Sequence, residues 1–525
     1  MNTASLPRQL PLIGFARRVL TVRFLFVATV LYGGLLFWVA PRPPLVDLPQ
    51  HAAQVAMLHD LMLGKSPWHQ LMRVNLFTPY LIGYLFALPF TLVMSVSAAV
   101  KLVLTLSYYT FVFACVLLRR RFDGDARLDW LFVPGFFGLA WQWGFYTFVV
   151  ATPLGLLYLL LALRHADRPS RSTSGWLFLA GTALFFAHGL VFLVANAIGG
   201  TFVLVRGRGR KLSKTMLALV PYAGLLLLCA VYVVVNHNAQ SAYESDVPSF
   251  LQGQIVHRVA SILMSTWGAG FSHRWPMIVA TLVVLAAAHL LGLRLNRREP
   301  AALVPLGVLL AMWAFVPSSG MSTHLLYERF ALYVLPFYAF IFVRREPSGD
   351  DTDARRRRDL VGQGALALVC LVFFGVQTKS LLDFAKESAS FETVLASAEP
   401  AQRALILTMD PVSPAAGNPL AYMHYAAWYQ ADKQGLVDYN FADSLAQAVR
   451  YRERRSLSMS ADRLAWLPDT FDWNIDRGDQ YRYFFVRTSG ALPHALLANR
   501  LCPLTVVQRS GEWLLYENQK CHPAG

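Results

Sequence analysis

The residues best suited to chemistry stand in the segment VDLPQH, which runs from residue 46 to 51. Asp47 and His51 are four positions apart, so on a helix they lie on one face. A carboxylate at a lipid–water boundary can act as a general base, and a histidine beside it can orient a substrate or help to hold a divalent metal such as Mg²⁺ or Mn²⁺. The alternative is that Asp47 only caps the helix and that His51 faces water. Spacing alone leaves both interpretations open.

A second polar group, YERF, opens an otherwise apolar block at residues 327–330. Its Arg329 carries a planar guanidinium that suits a phosphate, and Glu328 stands beside it. The alternative is that Arg329 only anchors the block at the membrane interface. Arg258, in the predicted surface helix SFLQGQIVHRVASILM, is a second phosphate candidate. Arg73 is typical of an interface and joins the candidates for substrate binding.

His188 lies within the apolar stretch LFFAHGLVFL. An ionisable side chain is costly in lipid, so such a residue is a candidate for a functional site. A neutral histidine that is hydrogen-bonded to a neighbouring helix is inexpensive, and the residue is then structural. His188 is therefore a substrate-binding candidate with a structural alternative.

The elements that must position these residues are membrane helices. The chain has 525 residues, 55% of them hydrophobic and 15% charged, and its apolar residues come in blocks near the length that crosses a bilayer. We predict a mostly α fold, a polytopic bundle of about eleven spanning helices over residues 1–379, followed by a soluble α+β domain over 380–525. The apolar blocks cover roughly 24–40, 80–97, 98–118, 130–163, 176–205, 215–235, 275–295, 301–317, 325–343 and 360–378.

The net charge of +16 arises largely from short arginine clusters beside these blocks. The clusters are Arg17–Arg18, Arg119–Arg121, Arg206–Arg210, Arg297–Arg298 and Arg355–Arg358. This is the pattern of cytoplasmic loops, and it argues against nucleic acid as a partner. It predicts a cytoplasmic N-terminus, a first outer loop at 41–79 with a helix along the membrane surface at about 49–63, and an outer C-terminal domain.

Two topologies fit the blocks. If 80–97 and 98–118 both span, the cluster at Arg119–Arg121 falls outside, against the charge rule. If 80–97 is re-entrant and 176–205 is a pair of half-helices, every cluster falls inside. The sequence does not separate these schemes.

The C-terminal tail has soluble patterning. RALILTMD and YRYFFVRT predict strands, HYAAWYQADKQG a helix, and LTVVQRSGEWLLYEN a hairpin that turns at Ser510-Gly511. Cys502 and Cys521 lie in this outer tail and are expected to form a disulfide, with two free thiols as the alternative.

The sequence has no P-loop, GxGxxG turn, HExxH or paired CxxC, which argues against ATP-driven, dinucleotide-dependent and simple zinc chemistry. An acidic residue in a long first outer loop, the helix after it, many spans and an outer C-terminal domain together resemble the GT-C superfamily of membrane glycosyltransferases. That group includes protein O-mannosyltransferases, aminoarabinose transferases and oligosaccharyltransferases. VDLPQH, WGFYTFVVATPLGLLYLLLALR, FFAHGL and YERFALYVLP resemble a bacterial branch of it over most of residues 20–345. Gln50 and Thr147 stand where asparagine is common in that branch, and no second acidic motif matches, which leaves metal dependence open.

The resemblance implies a sugar donor on a polyprenyl phosphate, used at the outer face of the bacterial inner membrane. Asp47 would deprotonate an acceptor hydroxyl of a glycan, lipid or protein, Arg329 would hold the leaving phosphate, and the anomeric centre would be inverted. The alternatives are a transporter or flippase for a lipid-linked sugar, and a non-catalytic membrane scaffold. An enzyme needs a cavity that opens to lipid and converges on Asp47, whereas a transporter needs a central path.

Overall fold

The structure, a computed structural model, describes residues 11–240, 255–268, 274–320, 323–344, 352–444, 446–453, 461–491, 496–499, 502–519 and 521. Apolar helices form a bundle, and a five-stranded mixed sheet follows it. The elements of the bundle are α1 (Pro11–Leu35), α2 (Leu48–Met62), β1 (Met72–Val74), α3 (Leu81–Thr91), α4 (Val96–Arg121), α5 (Phe132–Gly135), α6 (Leu139–Gln142), α7 (Tyr146–Asp167), α8 (Arg171–Ala187), α9 (Gly189–Arg206), α10 (Leu212–Gln240), α11 (Ile255–Ser265), α12 (Arg274–Leu290), β2 (Leu293–Leu295), α13 (Val304–Phe315), α14 (Val334–Phe340), β3 (Phe342–Arg344) and α15 (Thr352–Glu387). The remaining elements are α16 (Ala389–Ser397), β4 (Arg403–Thr408), α17 (Trp428–Lys433), β5 (Leu436–Asp438), β6 (Val449–Tyr451), α18 (Ala461–Trp466), β7 (Tyr483–Arg487), β8 (Thr505–Ser510) and β9 (Trp513–Glu517).

Several helices in the described part of the chain are long and apolar enough to cross a membrane. Five meet that length and composition: Val96–Arg121, Tyr146–Asp167, Gly189–Arg206, Leu212–Asn236 and Arg356–Ser397. Shorter apolar helices are Val22–Trp38, Leu81–Thr91, Trp275–Leu290 and Pro300–Phe315. A membrane bundle is consistent with these helices, and the number of about eleven spans stays a prediction.

The two disputed blocks are not alike: α3 is short, whereas α9 is long enough to span by itself, so the choice between the two topology schemes stays a prediction. α3 has 11 residues, about 16 Å of helix, which is too short for a hydrocarbon core of about 30 Å. The block 176–205 is divided at His188 into α8 and α9, with 17 and 18 residues. Arg206 at the end of α9 contacts Asp167 at the end of α7 at 3.3 Å, so α8 and α9 form a hairpin that returns to the end where it began.

Two other blocks differ from the prediction. Residues 130–163, given above as one apolar block, form the short turns α5 and α6 and then one long helix, α7, because Gly144 with φ +72° bends the chain before it. Residues 325–343, expected as one span, form a 3₁₀ helix at Glu328–Tyr333, then α14 and β3. Pro336, which has no N–H for a helical hydrogen bond, lies in the first turn of the new helix at Val334, where none is needed.

The arginine clusters of the described helices gather at one end of the bundle, where acidic partners neutralise them. Arg119 contacts Asp129 at 2.8 Å, and Arg206 contacts Asp167 at 3.3 Å and Glu299 at 2.5 Å. The opposite end of the bundle carries α2 and the C-terminal sheet.

The predicted helix of the first loop is α2, and its surroundings differ from the expectation. It begins after Asp47, accepts Pro49 in its first turn and ends before Gly64, whose φ is +68°. We expected it to lie along the membrane surface. Instead, every residue from Leu48 to Leu58 is buried, because α3, α4 and α17 cover the helix.

The C-terminal sheet has the order β5-β4-β7-β9-β8, with β4 parallel to β5 and β7 and the other pairs antiparallel. Alternate residues face opposite sides of the strands. Ile406 and Phe485 pack into the core shared with the bundle, whereas Leu405 and Phe484 form a second core with Trp473. Strands β4 and β7 and the β8–β9 hairpin coincide with the segments predicted from sequence.

Two further predictions concern this region. Cys502 and Cys521 form a disulfide with their Cα atoms 5.6 Å apart. The predicted domain boundary at 379–380 lies inside α15, which continues to Glu387.

Backbone pairing joins the first loop to the C-terminal domain. β1 pairs with β6 in antiparallel register, with Met72 opposite Tyr451 and Val74 opposite Val449. The domain is therefore held directly above α2.

Candidate functional site

Asp47 is placed by the turn that leads into α2. Its backbone N–H donates to the carbonyl of Trp143 at 2.9 Å, and Gly144 lies so close that an added Cβ would be 2.8 Å from the backbone nitrogen of Leu48. Asp47 occupies the N-cap position, but its side chain makes no capping hydrogen bond. The interpretation of Asp47 as a simple cap is therefore wrong, and its carboxylate is available for another role.

The carboxylate of Asp47 is held in an environment that disfavours its charge. Burial raises the pKa of Asp47 to about 7, and the positive charge of Arg329 acts in the opposite direction. A carboxyl group with a pKa near 7 changes protonation near neutral pH, as a general base does.

His51 lies on the same face of α2 and does not face water, since it is 4% exposed. Its Nδ1 lies 2.7 Å from the hydroxyl of Tyr84, and its ring meets the edge of Phe441 at 5.2 Å. Burial, followed by the charges of Arg329 and His424, lowers the pKa of His51 to about 3, so the imidazole is neutral at pH 7.

Arg329 approaches this site from the 3₁₀ helix before α14. Its guanidinium lies 3.8 Å from the centre of the Phe145 ring, and Nε and Nη2 donate to the carbonyl of His324 at 3.2 and 2.7 Å. The same side chain interacts with those of Tyr80 and Asp47. Arg329 is buried, at 8% exposure, so it is not an interfacial anchor that extends into water.

His188 joins the group through Tyr80. It stands at the break between α8 and α9, where its Nδ1 accepts a hydrogen bond from the N–H of Leu190 at 3.2 Å. Its ring stacks on Tyr80 at 4.6 Å and meets the edge of Phe148 at 5.1 Å. It therefore lies in the extended link between two helices rather than in the middle of one.

Three of the predicted site residues lie elsewhere. Arg258 stacks on Tyr327 at 4.7 Å and donates to carbonyls at the end of α13, one of them that of Val316 at 3.1 Å. Glu328 accepts a hydrogen bond from Ser318 at 2.6 Å on that same side. These contacts are those of a helix C-cap and its neighbours.

Arg73 is also separate from the group around Asp47. It is an exposed residue of β1, opposite Arg450 in the strand pair. Its position is at the junction with the C-terminal domain.

The structure adds residues that the sequence interpretation missed. His424 of the C-terminal domain places Nε2 3.7 Å from Oδ1 of Asp47, and burial lowers the pKa of His424 to about 4. Tyr84 in α3 donates to Oε1 of Gln447 at 2.5 Å. No local spacing in the sequence links these residues to Asp47, because each comes from a different part of the chain.

Among the described residues, no group of three or more His, Cys, Asp or Glu side chains is placed to hold a metal ion. A metal at Asp47 and His51 stays a prediction, and no step is assigned to one.

A cleft of about 550 Å³ lies at the other end of α2. It is lined by α2, the start of α4 and the C-terminal domain, with Asp60, Asp432 and Gln434 among its residues. Asp60 is thirteen positions after Asp47, about 20 Å along a helix, so this cleft is not the site around Asp47.

The site therefore combines a buried carboxyl group, a neutral imidazole and an arginine within an aromatic enclosure. Such a set can accept a proton from a hydroxyl group and can stabilise an anion beside it. In comparisons with known proteins, the chain matches no protein-family model and no curated protein.

Proposed function

We propose that this protein is a GT-C-type glycosyltransferase that moves a sugar from a polyprenyl phosphate to an acceptor hydroxyl. The observation that carries the proposal is the pairing of a buried carboxyl group, Asp47, whose pKa is about 7, with the cationic Arg329. Acid–base chemistry near neutral pH and recognition of a phosphate need these two groups in one site.

In the proposed reaction, the carboxylate of Asp47 takes the proton of the acceptor hydroxyl. The acceptor oxygen attacks the anomeric carbon, and the bond from that carbon to the phosphate oxygen breaks. The polyprenyl phosphate leaves with the electron pair, and its charge is stabilised by Arg329. Attack opposite the leaving group inverts the anomeric centre. A positioned base contributes about 10²- to 10⁴-fold in rate.

The proposed location is the bacterial inner membrane, with the N-terminus in the cytoplasm and the C-terminal domain in the periplasm. The arginine clusters Arg119–Arg121 and Arg206–Arg210 lie at the end of the bundle opposite Asp47. Because short basic loops stay in the cytoplasm, this arrangement supports a site at the outer face. Polyprenyl-linked sugars are the donors suited to that face, where nucleotide sugars are absent.

The position of His188 supports an enzyme over a transporter. Transporters place ionisable groups near the middle of the bilayer. His188 stacks on Tyr80 in the segment before α3, at the same end of the bundle as Asp47. The ionisable residues of the site therefore gather at one boundary.

The test uses full-length protein in lipid nanodiscs with undecaprenyl-phosphate mannose and undecaprenyl-phosphate glucose as probes. Transfer to water releases undecaprenyl phosphate, so the assay needs no known acceptor. We expect Asp47→Asn to bind the probe as the wild type does and to lose release by about 10²-fold or more. Arg329→Ala should weaken binding of undecaprenyl phosphate by about tenfold or more as well as turnover.

Arg258→Ala is the matched control, because it removes an arginine that contacts helix carbonyls outside the site. It should leave binding of undecaprenyl phosphate unchanged. In cells, intact glycans of a deletion strain should match those of an Asp47→Asn strain. Full glycan transfer by Asp47→Asn would refute the assignment of the base.

A further inference from the structure

We propose that the C-terminal domain completes the active site, with Gln447 acting through Tyr84 to set the tautomer of His51 and His424 facing Asp47. Through the contacts of Gln447 and His424, the C-terminal domain helps to position His51 and Asp47. The catalytic consequence rests on the proposed function, whereas the tautomer does not.

The first step is a chain of two hydrogen bonds. The hydroxyl of Tyr84 donates to Oε1 of Gln447 at 2.5 Å, and the same hydroxyl lies 2.7 Å from Nδ1 of His51. A phenol has one proton, and here it is used on Gln447. The Tyr84 oxygen can then only accept, so Nδ1 of His51 must carry the proton.

The second step is the consequence for the other ring nitrogen. A neutral imidazole has one N–H, so a protonated Nδ1 leaves Nε2 of His51 as a hydrogen-bond acceptor. An acceptor nitrogen at this position can receive a hydrogen bond from a substrate hydroxyl. The opposite tautomer would present an N–H there instead.

Gln447 is held in place by contacts that do not involve the site. Its backbone carbonyl accepts from Nδ2 of Asn75 at 3.0 Å, and the N–H of Asn75 donates to the carbonyl of Ala448 at 2.7 Å. The side chain of Gln54 accepts from the N–H of Val449 at 3.0 Å and donates to its carbonyl at 3.3 Å. With the β1–β6 pair, these bonds fix the segment 446–451 above α2.

The second contact from this domain is His424. Its Nε2 is 3.7 Å from Oδ1 of Asp47, and both side chains are largely buried, at 8% and 14% exposure. At this distance a small closure brings the imidazole N–H into hydrogen-bonding range, which would orient the carboxylate. The structure therefore has three positioning residues in this network. Gln447 and Tyr84 act through His51, and His424 acts through Asp47.

The direct test is nitrogen NMR of ¹⁵N-histidine-labelled, full-length protein in nanodiscs, with the His51 signals assigned from a His51→Gln variant. We expect the wild type to show protonated Nδ1 and unprotonated Nε2 at pH 7. In Gln447→Leu, the Tyr84 proton is free to be donated to Nδ1, so the Nε2–H tautomer should become the major form. Gln508→Leu is the control: it removes a glutamine of the edge strand β8, whose side chain donates to the carbonyl of Arg509 at 3.2 Å, and it should keep the wild-type tautomer.

A wild-type His51 with its proton on Nε2, or a Gln447→Leu variant with an unchanged tautomer, would overturn the proposal. If Gln447→Leu fails to fold, Tyr84→Phe provides the same test, because it deprives the Nδ1 proton of its acceptor and should raise the Nε2–H population.

The kinetic test uses release of undecaprenyl phosphate from undecaprenyl-phosphate mannose. We expect Gln447→Leu and Tyr84→Phe each to lower kcat about tenfold with KM little changed, and the double variant to be no worse than Tyr84→Phe alone. If the losses of kcat in the two single variants multiply in the double variant, the hydrogen-bond chain from Gln447 through Tyr84 to His51 is wrong. His424→Ala should lower kcat as well, and Gln508→Leu should not.

The two hypotheses fail in different ways. If Asp47→Asn releases undecaprenyl phosphate at the wild-type rate, the proposed function is wrong even where the tautomer changes as expected. If Asp47→Asn is inactive while Gln447→Leu and His424→Ala behave as Gln508→Leu does, the function stands and the role of the C-terminal domain is wrong.

Discussion

Burial of Asp47 has a cost in folding stability that can be measured without knowledge of the substrate. The pKa rises from 3.8 to about 7, a difference of about 3 units. Each unit corresponds to about 1.36 kcal/mol, so the ionised carboxylate destabilises the folded protein by about 4 kcal/mol. Because only 14% of the Asp47 side chain is exposed, screening by water reduces this free-energy cost little.

The cost has a defined dependence on pH. Below about pH 4, Asp47 is protonated in both the folded and the unfolded protein, and there is no cost. Between about pH 4 and 7, the unfolded chain releases this proton while the folded protein keeps it, so the free energy of unfolding decreases. Above about pH 7 both states are ionised and the cost is constant.

Asp47→Asn removes the ionisable group, and it should therefore stabilise the protein increasingly as the pH rises. We expect a gain near zero at pH 3, about 2 kcal/mol at pH 5 and about 4 kcal/mol at pH 8. The assay is the melting temperature of full-length protein in nanodiscs, followed by tryptophan fluorescence from pH 5 to 8.5. The difference between variant and wild type should grow and then reach a plateau near pH 7.

Asp383→Asn is the control, because this carboxylate lies on the exposed side of α15 beside Lys379 and has no burial to relieve. It should show no gain that grows with pH. Equal melting temperatures of wild type and Asp47→Asn from pH 5 to 8.5 would refute the raised pKa. That result would also refute the argument that Asp47 is suited to act as a base near neutral pH.

Three further outcomes are expected. Gly144→Ala should destabilise the protein more than Gly64→Ala in thermal melts, since both have positive φ but only the Cβ at Gly144 would meet the backbone at the start of α2; equal losses would remove the argument for a close approach. Cys502→Ser should lose roughly 3 kcal/mol of stability and abolish the effect of reductant on melting, and a reductant effect that persisted would count against the disulfide. Arg258→Ala should lower the melting temperature without weakening binding of undecaprenyl phosphate, whereas Arg329→Ala should weaken binding; the reverse pattern would exchange their roles.

Local features of the sequence determined most of the elements. Helix α2 could be placed to within a residue or two, because an N-cap residue at Asp47, a proline in the first turn and Gly64 at the end act within one turn of helix. The strands β4 and β7 and the β8–β9 hairpin followed from alternation and turn residues, which depend on a few neighbours. The apolar helices followed from length and composition.

The tertiary structure decided what surrounds those elements. A helix that is apolar around most of its surface is compatible with several partners, and only packing showed that the C-terminal domain covers α2. The apolar sequence around His188 is typical of a continuous helix, but in the structure His188 lies between α8 and α9, beside Tyr80.

The tertiary structure also determined which residues form the site. Arg329 and Arg258 were the first and second phosphate candidates from sequence, and only the structure shows that Arg258 contacts the end of α13 whereas Arg329 faces Asp47. His424 and Gln447 could not be found from sequence, because contacts between residues hundreds of positions apart leave no spacing to detect. The local structure that a residue favours depends on its neighbours in the sequence. The charge, ring or carboxylate that its side chain contacts depends on how distant segments pack. That packing also determines the burial that raises the pKa of Asp47 to about 7.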